Sequence, residues 1–197
     1  MRAALANPAC DGLEFDVRGS RDGVPILLHD ETLERVQGRP ERAADLDAAA
    51  LAAFGVPTLA AVLEAAGPAP FLDIELKGAP VPGIVPVLDA AGGRSFERTV
   101  LSSFEPATLA WLRGVRPAWP RWLNVDDLAP ATLALAGELG CVGVSAHWPS
   151  IDRAGLDRAS DAGLEVAAWT VRRRPTARRL ERLGVIALCV EAAALDG

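Results

Sequence analysis

Eight short apolar runs recur along the chain, near 12–18, 25–29, 70–77, 98–103, 120–124, 142–145, 164–170 and 185–190. All but the first two are separated by Ala/Leu-rich stretches with a helical period, near 45–54, 58–66, 82–91, 105–114, 129–139, 151–162 and 174–183. This alternation favours parallel strands, because a parallel neighbour is reached only through a crossover, usually a helix. Helix-start and helix-stop residues agree with the pattern: "PTLAAVLEAAG" opens on Pro-Thr and closes at Gly67, and "FEPATLAWLRG" carries Pro106 in its first turn and ends at Gly114. The connection "RGSRDG" leaves no room for a crossover, so 25–29 is expected to be an extension or hairpin arm of the first strand. Seven strands then remain. A (β/α)8 barrel of the TIM type usually takes about 250 residues, and 197 residues fall short by about one unit. The expected fold is α/β, a TIM-type barrel apparently truncated at its N-terminus and ending in a short final helix. No linker or low-complexity tract interrupts it, so residues 1–197 are expected to form a single domain.

Composition removes several functions from consideration. Half the residues are apolar and 23% are charged, which suits a domain with a real core. The formal net charge of −6, with no basic stripe, argues against a nucleic-acid partner. Cys10, Cys141 and Cys189 are odd in number and far apart, as expected of thiols in a reducing compartment. No apolar run approaches the roughly 18 residues of a membrane span, and "MRAALANPACDG" has no apolar signal region. A cytoplasmic protein without a membrane span is the expectation.

The polar residues of two strands share a phase. Alternate residues of a strand lie on one face, so Glu14, Asp16 and Arg18 point one way while Leu13, Phe15 and Val17 point the other. In "FLDIELKG", Asp73, Glu75 and Lys77 share a face opposite Ile74 and Leu76. Barrel chemistry gathers at the C-terminal strand ends, where Glu14, Asp16, Glu75 and Lys77 would meet. Three carboxylates without a thiolate suit a hard divalent cation, Mg²⁺ or Ca²⁺. The alternative is an ion-pair network in which these acids are matched by Arg18 or Lys77. His29 closes the apolar run "VPILLHD". Beside such a cluster it is a candidate general acid or base, since imidazole titrates near neutral pH.

These stretches resemble the glycerophosphodiester phosphodiesterase family of TIM-barrel hydrolases. The family's E-x-D-V strand, D-G-x-P-V-x-x-H-D insertion and T-L-x-R tail are matched by "EFDV", "DGVPILLHD" and "TLER". The likeness continues through "VPTLAAVL", "DIELK", "VLSSFEP", "GLEVAAWTV" and "LGVIALCVE", in the expected order. It implies metal ligation by Glu14, Asp16 and Glu75, one of two acid/base roles for His29, a phosphate contact for Lys77, and Trp169 against the glycerol side of the substrate. The implied reaction is hydrolysis of glycerophosphodiesters to sn-glycerol 3-phosphate and an alcohol, in lipid and glycerol phosphate metabolism.

The chain departs from the family at both ends. The family's opening His-Arg-Gly strand and Pro-Glu-Asn-Thr loop have no counterpart, and "MRAALANPACDG" resembles the tail of the helix that follows them. Weak activity is therefore expected, and exposed strand edges would favour homo-oligomers. Two other readings stand beside the hydrolase: a non-catalytic remnant that binds metal or phosphodiester, and a phosphodiesterase of the lysophospholipase D type. His147, in "VSAHWPS", follows a strand but matches no motif.

Overall fold

In the computed structural model, residues 2–91 and 98–191 are described. They fall into two compact units, Met1–Ala6 with Asp11–Thr99 and Asn7–Cys10 with Val100–Gly197. The segment expected to hold the short final helix, 192–197, lies outside the described residues.

The first unit begins with one helical turn, α1 (Arg2–Leu5), then β1 (Gly12–Gly19), β2 (Pro25–Leu27), α2 (Glu34–Gln37), α3 (Ala48–Ala53), α4 (Leu59–Ala66), β3 (Phe71–Leu76) and α5 (Ile84–Ala90). β1 and β3 run parallel with Glu14 beside Asp73 and Asp16 beside Glu75. β2 is the expected hairpin arm, antiparallel to β1 with Val17 opposite Leu27. Its ladder extends one step further, where Leu28 N–H donates to Asp16 O at 3.1 Å. The turn is held by Ser20, whose hydroxyl donates to Asp22 Oδ1 at 2.6 Å and accepts from Val24 N–H at 2.9 Å. The outer edge of β2 is not bare: Leu27 N–H donates to Pro57 O at 2.9 Å, and Ile26 bridges Thr58.

Residues 26–56 close over a small core of their own, made by Ile26, Leu28, Leu33, Ala43, Leu51 and Val56. Burying each of the larger aliphatic side chains is worth about 1.5–3 kcal/mol, so this cluster fixes the course of the arm without a long helix. The pattern read at 45–54 divides into a 3-10 turn, Ala43–Asp45, and α3. The break is Asp47, whose carboxylate caps α3 by accepting from Ala50 N–H at 2.9 Å.

The second unit carries β4 (Thr99–Ser103), α6 (Pro106–Val115), β5 (Arg121–Val125), α7 (Pro130–Glu138), β6 (Gly143–His147), α8 (Arg153–Asp161), β7 (Glu165–Val171), α9 (Arg174–Leu183) and β8 (Ala187–Val190). These strands pair in parallel in chain order from β4 to β8. Counting β1 and β3 of the first unit, seven strands among the described residues have a parallel partner, the number expected. Proline at the first helical positions of α6, α7 and α9 is pre-set for a helix start, and Gly184 ends α9 at φ +97°. Arg121 is buried at the start of β5, where backbone carbonyls replace its water: Nη1 donates to Trp119 O at 2.7 Å and Nη2 to Gly140 O at 2.8 Å. Among the described residues no helix is long and apolar enough to cross a membrane.

Candidate active site

In-register pairing of β1 with β3 brings the acids together. One carboxylate oxygen each from Glu14, Asp16 and Glu75 lies within 4.8 Å of the others. Lys77 follows the end of β3, where Lys77 N–H still donates to Val17 O at 3.0 Å, and Gly78 at φ +77° then turns the chain away. The Lys77 ammonium contacts Glu75 Oε1 and stands 3.2 Å from Asp16 Oδ1. Both readings of the acids thus coexist: they converge as a ligand set would, and a lysine is matched to two of them.

The electrostatics follow from that crowding. Burial pushes the Glu75 carboxyl up, and Lys77 opposes the push. Burial works against the Lys77 charge, yet its contacts with Glu75 and Asp16 outweigh that, and the ammonium is held above the usual lysine range. Glu14 is raised to about 8 by desolvation and by repulsion from Asp16, Asp73 and Glu75. Its side chain is nonetheless solvent-exposed, so the repulsion, which needs no burial, is the firmer of the two causes. A group raised this way holds its proton below that pH, and a cation must displace it. If Glu14 ligates an ion, Mg²⁺ or Ca²⁺ should bind more weakly at low pH and more tightly as Glu14 loses its proton. Calorimetry in buffers of different ionisation enthalpy should register proton release on binding, and no release at any pH would remove Glu14 from the proposed ligand set.

His29 stands on the arm just beyond the bond from Leu28 to Asp16. Its neighbours Leu28 and Leu33 are buried, while its own side chain is 58% exposed. His29 Nδ1 lies 2.6 Å from Asp30 Oδ1, and Arg35 grips the same carboxylate, Nε to Oδ2 at 2.5 Å and Nη2 to Oδ1 at 3.1 Å. The hydrogen bonds from Arg35 and His29 depress Asp30 to about 2. An ionised carboxylate only accepts, so Nδ1 is the donor and Nε2 is left for proton exchange. Asp30 and Arg35 as a positioning pair were not singled out from sequence, although both lie inside the quoted "HD" and "TLER".

In the second unit, Trp169 of β7 pairs with His147 at the end of β6. Their rings stack at 4.9 Å and 27°, Phe104 meets the indole edge-on at 5.3 Å, and Trp169 Nε1 donates to Ser145 O at 2.8 Å. His147, left unassigned by motif, is thus a packing partner of Trp169.

Comparison with known proteins bears on the family and the fold. A sequence model of the glycerophosphoryl diester phosphodiesterase family matches residues 1–195. A glycerophosphodiester phosphodiesterase of Caldanaerobacter subterraneus subsp. tengcongensis is 27% identical over 193 residues, covering 89% of this chain and 79% of its own. Among solved structures, a phosphodiesterase of Oleispira antarctica in complex with the product sn-glycerol-3-phosphate superposes with a TM-score of 0.82 at 23% identity, over 94% of this chain and 82% of that one. A glycerophosphodiester phosphodiesterase of Agrobacterium tumefaciens gives 0.82 at 22% identity, over 98% and 89%. These likenesses give the fold class: α/β, of the TIM-barrel type.

Proposed function

The chain belongs to the glycerophosphoryl diester phosphodiesterase family, and we propose that it hydrolyses glycerophosphodiesters to sn-glycerol 3-phosphate and an alcohol with the help of a divalent cation. The observation that carries this reading is the meeting of Glu14, Asp16, Glu75 and Lys77 at one point, with an oriented His29 on the adjoining arm. The all-oxygen donor set fits Mg²⁺ or Ca²⁺, and Glu14, Asp16 and Glu75 would hold the ion. When bound, the cation polarises a phosphoryl oxygen and orients the diester. Lys77 places a fixed positive charge against the non-bridging oxygens as their charge grows. His29, its Nδ1 committed to Asp30, serves through Nε2 one of the two proton transfers, at the entering or the leaving oxygen. Water oxygen joins phosphorus, the bond to the alcohol oxygen breaks, and that oxygen leaves protonated. The product held by the Oleispira protein supports the choice of glycerol 3-phosphate as the released phosphate.

Incubating the chain with a glycerophosphodiester should release glycerol 3-phosphate with Mg²⁺ or Ca²⁺ and none with chelator. Release that persists in chelator would sink the metal requirement. The non-catalytic reading draws on one observation, that Lys77 already matches two of the acids, and it predicts metal or diester binding with no release at all. Cys10, Cys141 and Cys189, odd in number and far apart in the sequence, support a reducing, cytoplasmic location.

A further inference from the structure

Beside the carboxylates the first unit holds a cleft of about 340 Å³, within the range of small-molecule sites. Its charged lining is Arg18, Arg42, Lys77 and Glu31, set among small residues, and among the described residues no aromatic ring contributes. The single acid is already engaged, Arg42 Nη2 to Glu31 Oε2 at 3.2 Å. Arg18 shares the β1 face of Glu14 and Asp16 but lies two residues further toward the C-terminal end, roughly 6–7 Å beyond Asp16 at the usual strand rise. Its Nε donates to His29 O at 2.8 Å, and a Cβ on Gly78 would stand 3.7 Å from its Nη1. The guanidinium is therefore fixed between the His29 backbone and the corner after Lys77. Lys77 lines the cleft and contacts Glu75 and Asp16, so the cleft adjoins the carboxylates where the proposed reading places the phosphorus.

A diester held at that place sends out two ester arms. We propose that this cleft receives the alcohol arm and selects arms rich in oxygen acceptors, polyols or phosphorylated polyols, over arms ending in a quaternary ammonium. Guanidinium and ammonium groups only donate hydrogen bonds, and hydroxyl or phosphate oxygens can accept them. A trimethylammonium group accepts none, and among the described lining residues it finds no ring face of the kind that usually holds such groups. The inference rests on the phosphodiesterase reading above and narrows it to a substrate class.

The test is a competition. Glycerophosphoinositol, glycerophosphoglycerol and glycerophosphocholine are offered together in equal amounts with Mg²⁺, and the released alcohols are quantified by mass spectrometry. The polyol arms should be favoured by about tenfold, the weight of one charge-assisted hydrogen bond. Arg42→Gln and Arg18→Gln should each shrink that ratio to within about threefold. Which polyol leads tells inositol-type arms from glycerol-type ones. A choline arm taken equally well, or a ratio that neither variant moves, overturns the proposal. If no substrate is turned over, the hydrolase reading fails on its own, and saturation-transfer NMR of the same three compounds on the Mg²⁺-loaded chain decides this one. Preferential polyol binding upholds it, and equal or undetectable binding rejects it.

Discussion

His29→Ala lowers kcat by about 10² to 10⁴, the usual contribution of one positioned acid/base group, and leaves the fold standing. The imidazole is largely solvent-exposed and gives the core nothing: Leu28 and Leu33 anchor that stretch, and the backbone of the arm is bonded to β1 on one side and to Pro57 on the other. Far-UV circular dichroism and melting temperature should match the parent. Asp30→Ala removes the orienting partner while keeping the ring, and a misplacement of roughly 1 Å can itself cost about 10²-fold. Its pH–rate profile should shift as well, because the acceptor that selects the Nδ1–H tautomer is gone. A His29→Ala protein with undiminished turnover would sink the assignment.

Lys77→Met separates the two meanings of the acidic cluster. Methionine keeps most of the stem and deletes the charge. In metal-free protein Asp16 and Glu75 then face each other and Glu14 without their counter-charge. Removing one partner of a buried pair typically costs about 3–5 kcal/mol, and the partial exposure of this one brings the expectation down to about 1–3 kcal/mol. Added Mg²⁺ or Ca²⁺ should restore stability by more than it does in the parent, because the ion supplies the missing positive charge. Activity should fall even with saturating metal, since the phosphoryl oxygens lose a donor. Thermal melts with and without ion read the first effect, and glycerol 3-phosphate release reads the second. Destabilisation that metal does not relieve would mark the cluster as a structural ion-pair network.

Much of this was legible because period-2 patterning is explicit in "LEFDV" and "LDIEL", and a parallel register needs only those two phases to join the acids. The hairpin arm was legible from the brevity of "RGSRDG". The four residues of α2 were not, since they are too few to show a period; the helix exists because Leu33 is buried at its start and Gly38 closes it at φ +68°. Asp47 was a readable cap inside what otherwise scanned as one helix. The grip of Arg35 on Asp30 and the carbonyl cage of Arg121 depend on where loops return in space, and neither periodicity nor composition encodes that.

The hairpin of β1 and β2 has a consequence for how the protein comes to fold. Glu14, Asp16 and Arg18 lie on β1 and His29 two residues past β2, and the pairing that joins the two strands closes through a turn of only Ser20 to Val24. Contacts so close in sequence form early and fast, on the order of microseconds for a hairpin, long before distant strands need to find their places. The same closeness is a vulnerability. A slip of one residue in the pairing would turn every side chain of one strand to the opposite face, carrying His29 away from the acids while leaving the backbone bonds almost as numerous. Ser20 and Asp22 thus act as a register lock, and the accuracy of a five-residue turn decides on which face of the arm His29, the proposed acid/base group, is presented.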